Sequence, residues 1–217
     1  AYDIASCLVG SEMCIRDRNI TADENFNTFS LSWYNNTDVD PATGLTPYIN
    51  MQKVLKVCHD FVDNFDNTFS NLLFIGQTGV GKTFLSNCIA RALMDSCHSI
   101  IYLTAGEFFD SFKSDDFKEF GSSKFDTSFF VECDLLIIDD LGTEKASDYN
   151  FSNLFNTINE RLLRRKSIII SSNLEMPDIE TRYSQRIFSR LVSAYSILRL
   201  FGDDIRCMKK LSPTKRS

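Results

Sequence analysis

GQTGVGKT, residues 76–83, is the stretch from which the rest of the chain can be read. The apolar run Leu72–Ile75 precedes it. Phe84–Met94 follows, where Leu85, Cys88, Ile89, Ala92 and Leu93 recur at helical spacing. Gly76, Gly79 and Gly81 let the backbone bend so that successive N–H groups face one point. The helix that begins there turns its positive end toward the same point. Such a strand–loop–helix unit suits a phosphate chain. Lys82 adds a mobile cation for the outer phosphates, and Thr83 offers a hydroxyl to Mg²⁺. Gly76, Gln77, Thr78, Gly79, Val80, Gly81, Lys82, Thr83 and Phe84 are therefore the expected binding set for ATP.

Beyond this loop, strands and helices alternate. A helix is predicted over Tyr48–Phe65, where Met51, Val54, Leu55, Cys58, Phe61, Val62 and Phe65 follow i, i+3, i+4 spacing. Strands are predicted at Leu72–Ile75, Ile100–Leu103, Leu135–Ile138, Ile168–Ser171 and Ile197–Phe201. Helices are predicted around Glu107–Phe112, over Phe151–Arg164, and as two short pieces within 178–194. A polar stretch, 113–128, is expected to cross the surface. The strands are continuous Leu/Ile runs without polar alternation, as expected of a parallel sheet covered on both faces by helices. The fold class is thus α/β, with five parallel strands sandwiched by helices.

Two strands end in polar groups. DLLIIDDLG, 134–142, puts Asp139 and Asp140 at the carboxyl edge of the sheet, where open α/β sheets bind ligands. Asp139 is expected to hold Mg²⁺ with Thr83, directly or through water, and Asp140 to act as general base toward water. Alone, two acids ending a strand are more often a turn; beside a phosphate loop they read as a site. SIIISSN, 167–173, places Asn173 at the same edge, within reach of the attacking water or the γ-phosphate. Arg186 and Arg190 lie four apart in SQRIFSRL, on one helix face, and Arg206 follows a strand in FGDDIR. By spacing alone each arginine is an ordinary surface residue.

The composition bounds the setting. A length of 217 residues suits one α/β domain with extra sequence at the N-terminus. The net charge of −6 argues against a uniformly basic nucleic-acid coat but leaves room for a local groove. Seven cysteines without any C-x-x-C pair fit a reducing cytoplasm better than a disulfide framework or zinc site. No apolar run approaches the length of a membrane span. Residues 19–47, rich in Asn, Asp and Thr, read as an extended arm with Phe26, Phe29, Leu31, Trp33 and Tyr34 as anchors onto a domain covering 48–217. AYDIASCLVGSEMCIRDR, 1–18, reads as a non-native segment resembling translated sequencing-adapter read-through. It lacks the basic start of a signal peptide, and the natural protein is expected to begin further upstream.

The order GQTGVGKT, DLLIIDDLG, IIISSN, SQRIFSRL and FGDDIR resembles the ATPase domain of bacterial DnaC/DnaI-type helicase loaders. These are AAA+ proteins related to IstB-type transposition helper ATPases. IIYLTAGEFFDSF (100–112) and FSNLFNTINERLL (151–163) are similar to the same group, and the resemblance covers about 48–210. It implies an arginine finger at Arg190, with Arg186 one turn earlier as the fallback. It further implies a sensor arginine at Arg206 and a first sensor at Asn173. It implies ATP at subunit interfaces, a replicative hexameric helicase as partner, and single-stranded DNA inside a spiral oligomer. Arg161, Arg164, Arg165 and Lys166 cluster at a helix end that would suit DNA or the helix dipole, and the tail KKLSPTKRS is also basic. Asp140 stands where most AAA+ proteins have Glu, and the usual AAA+ helical lid is not expected after Arg206, as in the loaders. The family's N-terminal helicase-binding domain is expected to be missing here, with the arm and 1–18 in its place. A transposition helper, a non-hydrolysing nucleotide-gated adaptor and a small-molecule kinase are the alternatives. The kinase lacks an evident substrate-binding insert.

Overall fold

The computed structural model describes residues 23–112 and 128–211. The expected surface crossing at 113–128, apart from Ser128, and the segment 1–18 lie outside the described residues, as does most of the basic tail.

Five strands form one parallel sheet: β1 (Leu72–Ile75), β2 (Ile100–Thr104), β3 (Leu135–Leu141), β4 (Ser167–Ser172) and β5 (Ser196–Arg199), in the order β2-β3-β4-β1-β5. Every pairing is parallel, so each connection must cross a face of the sheet and does so largely through helices. These are α1 (Pro47–Asp63), α2 (Lys82–Asp95), α3 (Ala105–Asp110), α4 (Phe129–Glu132), α5 (Asp148–Arg164), α6 (Met176–Arg182), α7 (Gln185–Ala194) and α8 (Ile205–Leu211). β1 to β4 are buried along almost their whole length, which is why their Leu/Ile runs lack alternation. Two apolar layers result. One gathers Leu73, Leu136, Ile138, Ile170, Leu154, Ile158 and Leu191. The other gathers Phe74, Ile137, Ile169, Leu85, Ile89, Met51 and Phe61.

Element ends follow local chemistry. α1 begins at Thr46, whose hydroxyl accepts from the Ile49 N–H, with Pro47 at the first turn. α3 starts two residues earlier than the sequence spacing suggests, because T-A-G-E is a capping box. The Thr104 hydroxyl accepts from the Glu107 N–H, and the Glu107 carboxylate accepts from the Thr104 N–H. β3 runs through both acidic residues instead of stopping at Ile138, and β5 stops at Arg199, short of Phe201.

Two findings depart from the sequence reading. Residues 23–46 are not simply extended: they include a 3₁₀ turn at Leu31–Trp33 and pack on α1 and α2, with Tyr34 buried. Arg161 belongs to no surface patch. It is fully buried and donates to the carbonyls of Phe130 (2.8 Å), Asp134 (3.1 Å) and Ser167 (2.6 Å) and to Cys133 Sγ (3.1 Å). It ties the end of α4 to the starts of β3 and β4, leaving Arg164 and Arg165 exposed.

Candidate nucleotide site

The phosphate loop joins β1 to α2 where β1 stands between β4 and β5, so its carboxyl end borders that of β4, with the end of β3 one strand further on. Gly76 and Gly79 both have positive φ, and a Cβ on either would collide. At Gly76 it would lie 2.0 Å from the Leu200 carbonyl oxygen, and at Gly79 2.2 Å from the Asp204 carboxylate. The loop therefore needs glycine for conformation and for space. The Tyr34 hydroxyl donates to the Val80 carbonyl at 3.1 Å, so the arm braces the loop from outside.

Lys82, the first residue of α2, is 5% exposed. Its Nζ donates to the Gly76 carbonyl (2.6 Å), the Gln77 carbonyl (2.8 Å) and Asn173 Oδ1 (2.6 Å). Burial lowers its pKa, while the nearby Asp140 and Asp139 carboxylates oppose that shift. The Asn173 side chain also donates to Asp140 Oδ1 at 3.4 Å. One asparagine thus bridges the loop lysine and the second acidic residue, as its expected place after β4 requires.

The acidic pair sits in a local irregularity. β3 pairs with β4 in regular register through Ile138↔Ile170, then shifts so that Leu141 pairs with Ser172. Asp140 has φ +57° at this shift. A bulge re-aims side chains that would otherwise alternate across the sheet. Here Asp139 Oδ2 accepts from the Thr83 hydroxyl at 3.0 Å and from the Tyr102 hydroxyl at 3.1 Å. Its other oxygen accepts from the Ser171 hydroxyl, which also accepts from the Asp140 N–H at 2.9 Å. Burial raises the Asp140 pKa, the Asp139 charge adds to the rise, and Lys82 and Arg206 hold it back.

The donor set fits a magnesium nucleotide. Among the described residues no group of three or more His, Cys, Asp or Glu side chains forms a metal cage. Mg²⁺ keeps waters and takes one or two protein ligands plus phosphate oxygens. The adjacent Thr83 hydroxyl and Asp139 carboxylate are a set of that size.

The arginines divide. Arg206, at the start of α8, lines the cleft with Lys82, Thr83, Asp140 and Asn173; Glu24, Phe29, Trp33 and Tyr34 of the arm form another wall. Arg190 is not among the cleft residues. Its guanidinium donates to Asn159 Oδ1 (2.9 and 3.2 Å) and lies 4.3 Å from the Phe155 ring centroid, along the α5–α7 side. Arg186, one turn earlier, is exposed. The sequence pattern does not mark Tyr102, Ser171 or Tyr34 as members of the site. Ser171 carries a signal, as a hydroxyl inside an apolar run two residues before Asn173. Tyr102 and Tyr34 carry none beyond being polar-tipped residues in apolar surroundings.

The chain is 23% identical over 151 residues to the replicative helicase loader DnaC of Escherichia coli K12, covering 69% of this chain and 61% of that protein. The chain thus spans about three-fifths of that relative's length. Among solved structures, the DnaC helicase loader superimposes with a TM-score of 0.64 at 20% identity, over 86% of this chain and all of that one. AMPPCP-bound DnaA from Aquifex aeolicus superimposes with a TM-score of 0.65 at 18% identity, over 91% of this chain and 58% of that one. These likenesses establish the AAA+ fold expected from the loader resemblance. The model of the IstB-like ATP binding proteins matches residues 44–212, from just before α1 to the end of α8. The chain belongs to that family of IstB-like ATP binding proteins.

Proposed function

We propose that this chain hydrolyses ATP as a switch of the helicase-loader kind, engaging single-stranded DNA and a replicative hexameric helicase in bacterial cytoplasm. The observation that carries the hydrolytic reading is the single polar chain Lys82–Asn173–Asp140 beside Thr83–Asp139. It gathers a cation, a water-orienting amide, a base and a metal-ligand pair at one sheet edge. Thr83 and Asp139 would hold Mg²⁺, which when bound spreads and offsets phosphate charge. Asp140, its pKa raised by burial, accepts the proton of the attacking water, and Asn173 orients that water. Lys82 steadies the outer phosphates, and Arg206 lies where it can meet the same charge from its own chain. Arg190, held along α5 and α7, would act on the cleft of a neighbouring copy.

The partners rest on likeness. One curated relative is named a replicative helicase loader, and one solved neighbour is a DnaA bound to AMPPCP and single-stranded DNA. Arg164, Arg165 and Lys166 at the end of α5 are the exposed or half-buried cations nearest that expectation. ATP turnover per subunit, measured over a range of protein concentrations with and without single-stranded DNA, tests the reading. Turnover rising with both, and abolished together with ATP binding in Lys82→Ala, is expected. Tight ATP binding with flat, negligible turnover would favour a nucleotide-gated adaptor instead. The short carboxylate of Asp140, already partnered by Asn173, is the observation on that side.

A further inference from the structure

The loop after β3 contains a buried acid that the ATPase reading does not use. The Glu144 side chain is only 3% exposed. Its Oε2 accepts from the Gly142 N–H at 2.8 Å. Its Oε1 accepts from the Tyr183 hydroxyl at 2.7 Å and from Arg182 Nε at 3.3 Å, while Arg182 Nη2 donates to the Glu144 backbone carbonyl. Arg182 ends α6, and Tyr183 leads into Ser184, the N-cap of α7, on which Arg186 and Arg190 ride. Tyr183 is wedged further by an edge-on contact with Phe151 of α5, ring centroids 5.3 Å apart.

The other end of this loop is equally fixed. Gly142 lies two residues after Asp140, and a Cβ there would lie 2.7 Å from Leu174 Cδ1. The Ser172 hydroxyl donates to the Leu141 carbonyl at 2.6 Å and accepts from the Leu174 N–H at 3.1 Å. The segment 140–144 therefore touches β4 beside Asn173 at one end and the α6–α7 corner at the other. A side chain so far from water needs hydrogen-bond partners, and here an amide, a phenol and a guanidinium supply them; a satisfied buried network has one preferred arrangement. Burial, and then the hydrogen bond to Glu144, push the Tyr183 phenol well up, so it remains a donor at physiological pH.

We propose that Glu144 is a positioning residue: it couples the acidic strand end to the start of α7, so that the placement of Arg190 follows the state of the nucleotide edge. The proposal rests on the shared-site reading above. A bridge of this kind transmits nothing by proximity alone; it requires that Glu144 act on turnover through Arg190.

A double-mutant cycle tests it, using Glu144→Gln and Arg190→Ala singly and together, with ATP turnover, ATP affinity and Tm as readouts. Glu144→Gln keeps the side-chain volume but weakens the pairing with Arg182 and Tyr183. It is expected to lower turnover about tenfold with ATP affinity within about twofold. In the Arg190→Ala background it should add no further loss. Equal fold losses in both backgrounds would overturn the positioning role while leaving the shared-site reading intact. Unchanged turnover in Arg190→Ala alone would overturn both. Should Glu144→Gln fail to fold, Tyr183→Phe, which removes one donor and keeps the ring, takes its place in the cycle. Loss confined to the Arg190 background then supports the coupling, and equal loss in both backgrounds overturns it.

Discussion

The cleft under the phosphate loop and the α5–α7 side of the molecule both carry residues suited to phosphate chemistry, but they hold them in opposite ways. In the cleft, functional side chains bond to one another: Lys82 to Asn173, Asn173 to Asp140, and Thr83 to Asp139. On the α5–α7 side, Arg190 bonds to a neutral amide, Asn159, and lies over an aromatic ring, Phe155. Its guanidinium also donates to the Arg186 carbonyl at 3.1 Å, and among the described residues no acid is paired with it. A cleft built this way binds; an arginine kept charged and outside that cleft is one that a second copy can use. On the proposed reading the difference makes binding and turnover separable, because they would depend on different sides of the chain.

The most severe way to break the comparison is at the cleft. Lys82→Ala removes the buried cation that donates to the loop carbonyls and should lower ATP affinity at least about a hundredfold, as calorimetry or a fluorescent nucleotide would show. Arg190→Ala should leave affinity within about twofold yet lower turnover about a thousandfold or more, the scale of a lost arginine finger. Arg206→Ala, on the same chain as the cleft, should alter affinity as well. If the two arginine variants behave alike, the contrast fails.

A third prediction sharpens the comparison through pH. The Asp140 pKa is raised in the folded chain, first by burial and then by Asp139. Between the ordinary aspartate value near 3.9 and that raised value, folded Asp140 is still protonated and cannot serve as base. In the metal-free, nucleotide-free chain the Asp140 carboxyl should therefore titrate above the ordinary aspartate range, as carboxyl NMR would show. The linkage has the matching sign: stability owed to Asp140 is fully present below its unfolded pKa and is lost as pH rises through the folded one. Asp140→Asn should abolish turnover while raising Tm at neutral pH, and a lowered Tm there would contradict this account.

The smallest effect on function, though not on folding, belongs to Arg161. Arg161→Leu removes a buried cation whose four hydrogen bonds hold the ends of α4, β3 and β4. It takes a donor from three carbonyls and should destabilise the fold by about 3 kcal/mol. Affinity for ATP in the fraction that remains folded should be unchanged. Urea denaturation together with nucleotide binding separates the two quantities.

How far the sequence can be read follows from the type of signal each feature leaves. The loop, the acidic strand end and the Asn173 position are legible because each is polar or glycine-rich punctuation at the end of an apolar run, and alternation with helices implies a parallel sheet. Arg161 reads as part of a basic patch because Arg164–Lys166 follow it. Its spacing from Leu154 and Ile158, i+7 and i+3, nonetheless places it on the buried stripe of α5. The bulge at Asp140 leaves no composition signal, since its cause is the register of β3 against β4, a long-range contact. The arm is legible only as a set of aromatic anchors. That Tyr34 reaches Val80 depends on where the chain folds back, which local sequence does not encode.

The most direct test of the shared site mixes two inactive variants. Lys82→Ala cannot hold ATP but still offers Arg190, whereas Arg190→Ala holds ATP in a complete cleft but offers no finger. Where the two meet in the proposed arrangement, the cleft of the second would face the Arg190 of the first. Turnover recovered on mixing, to about a quarter of wild type or more at equal proportions in a paired assembly, is the predicted result. Turnover no greater than the sum of the separate variants, with both shown to assemble with wild-type chains, would contradict a site completed by a neighbouring copy.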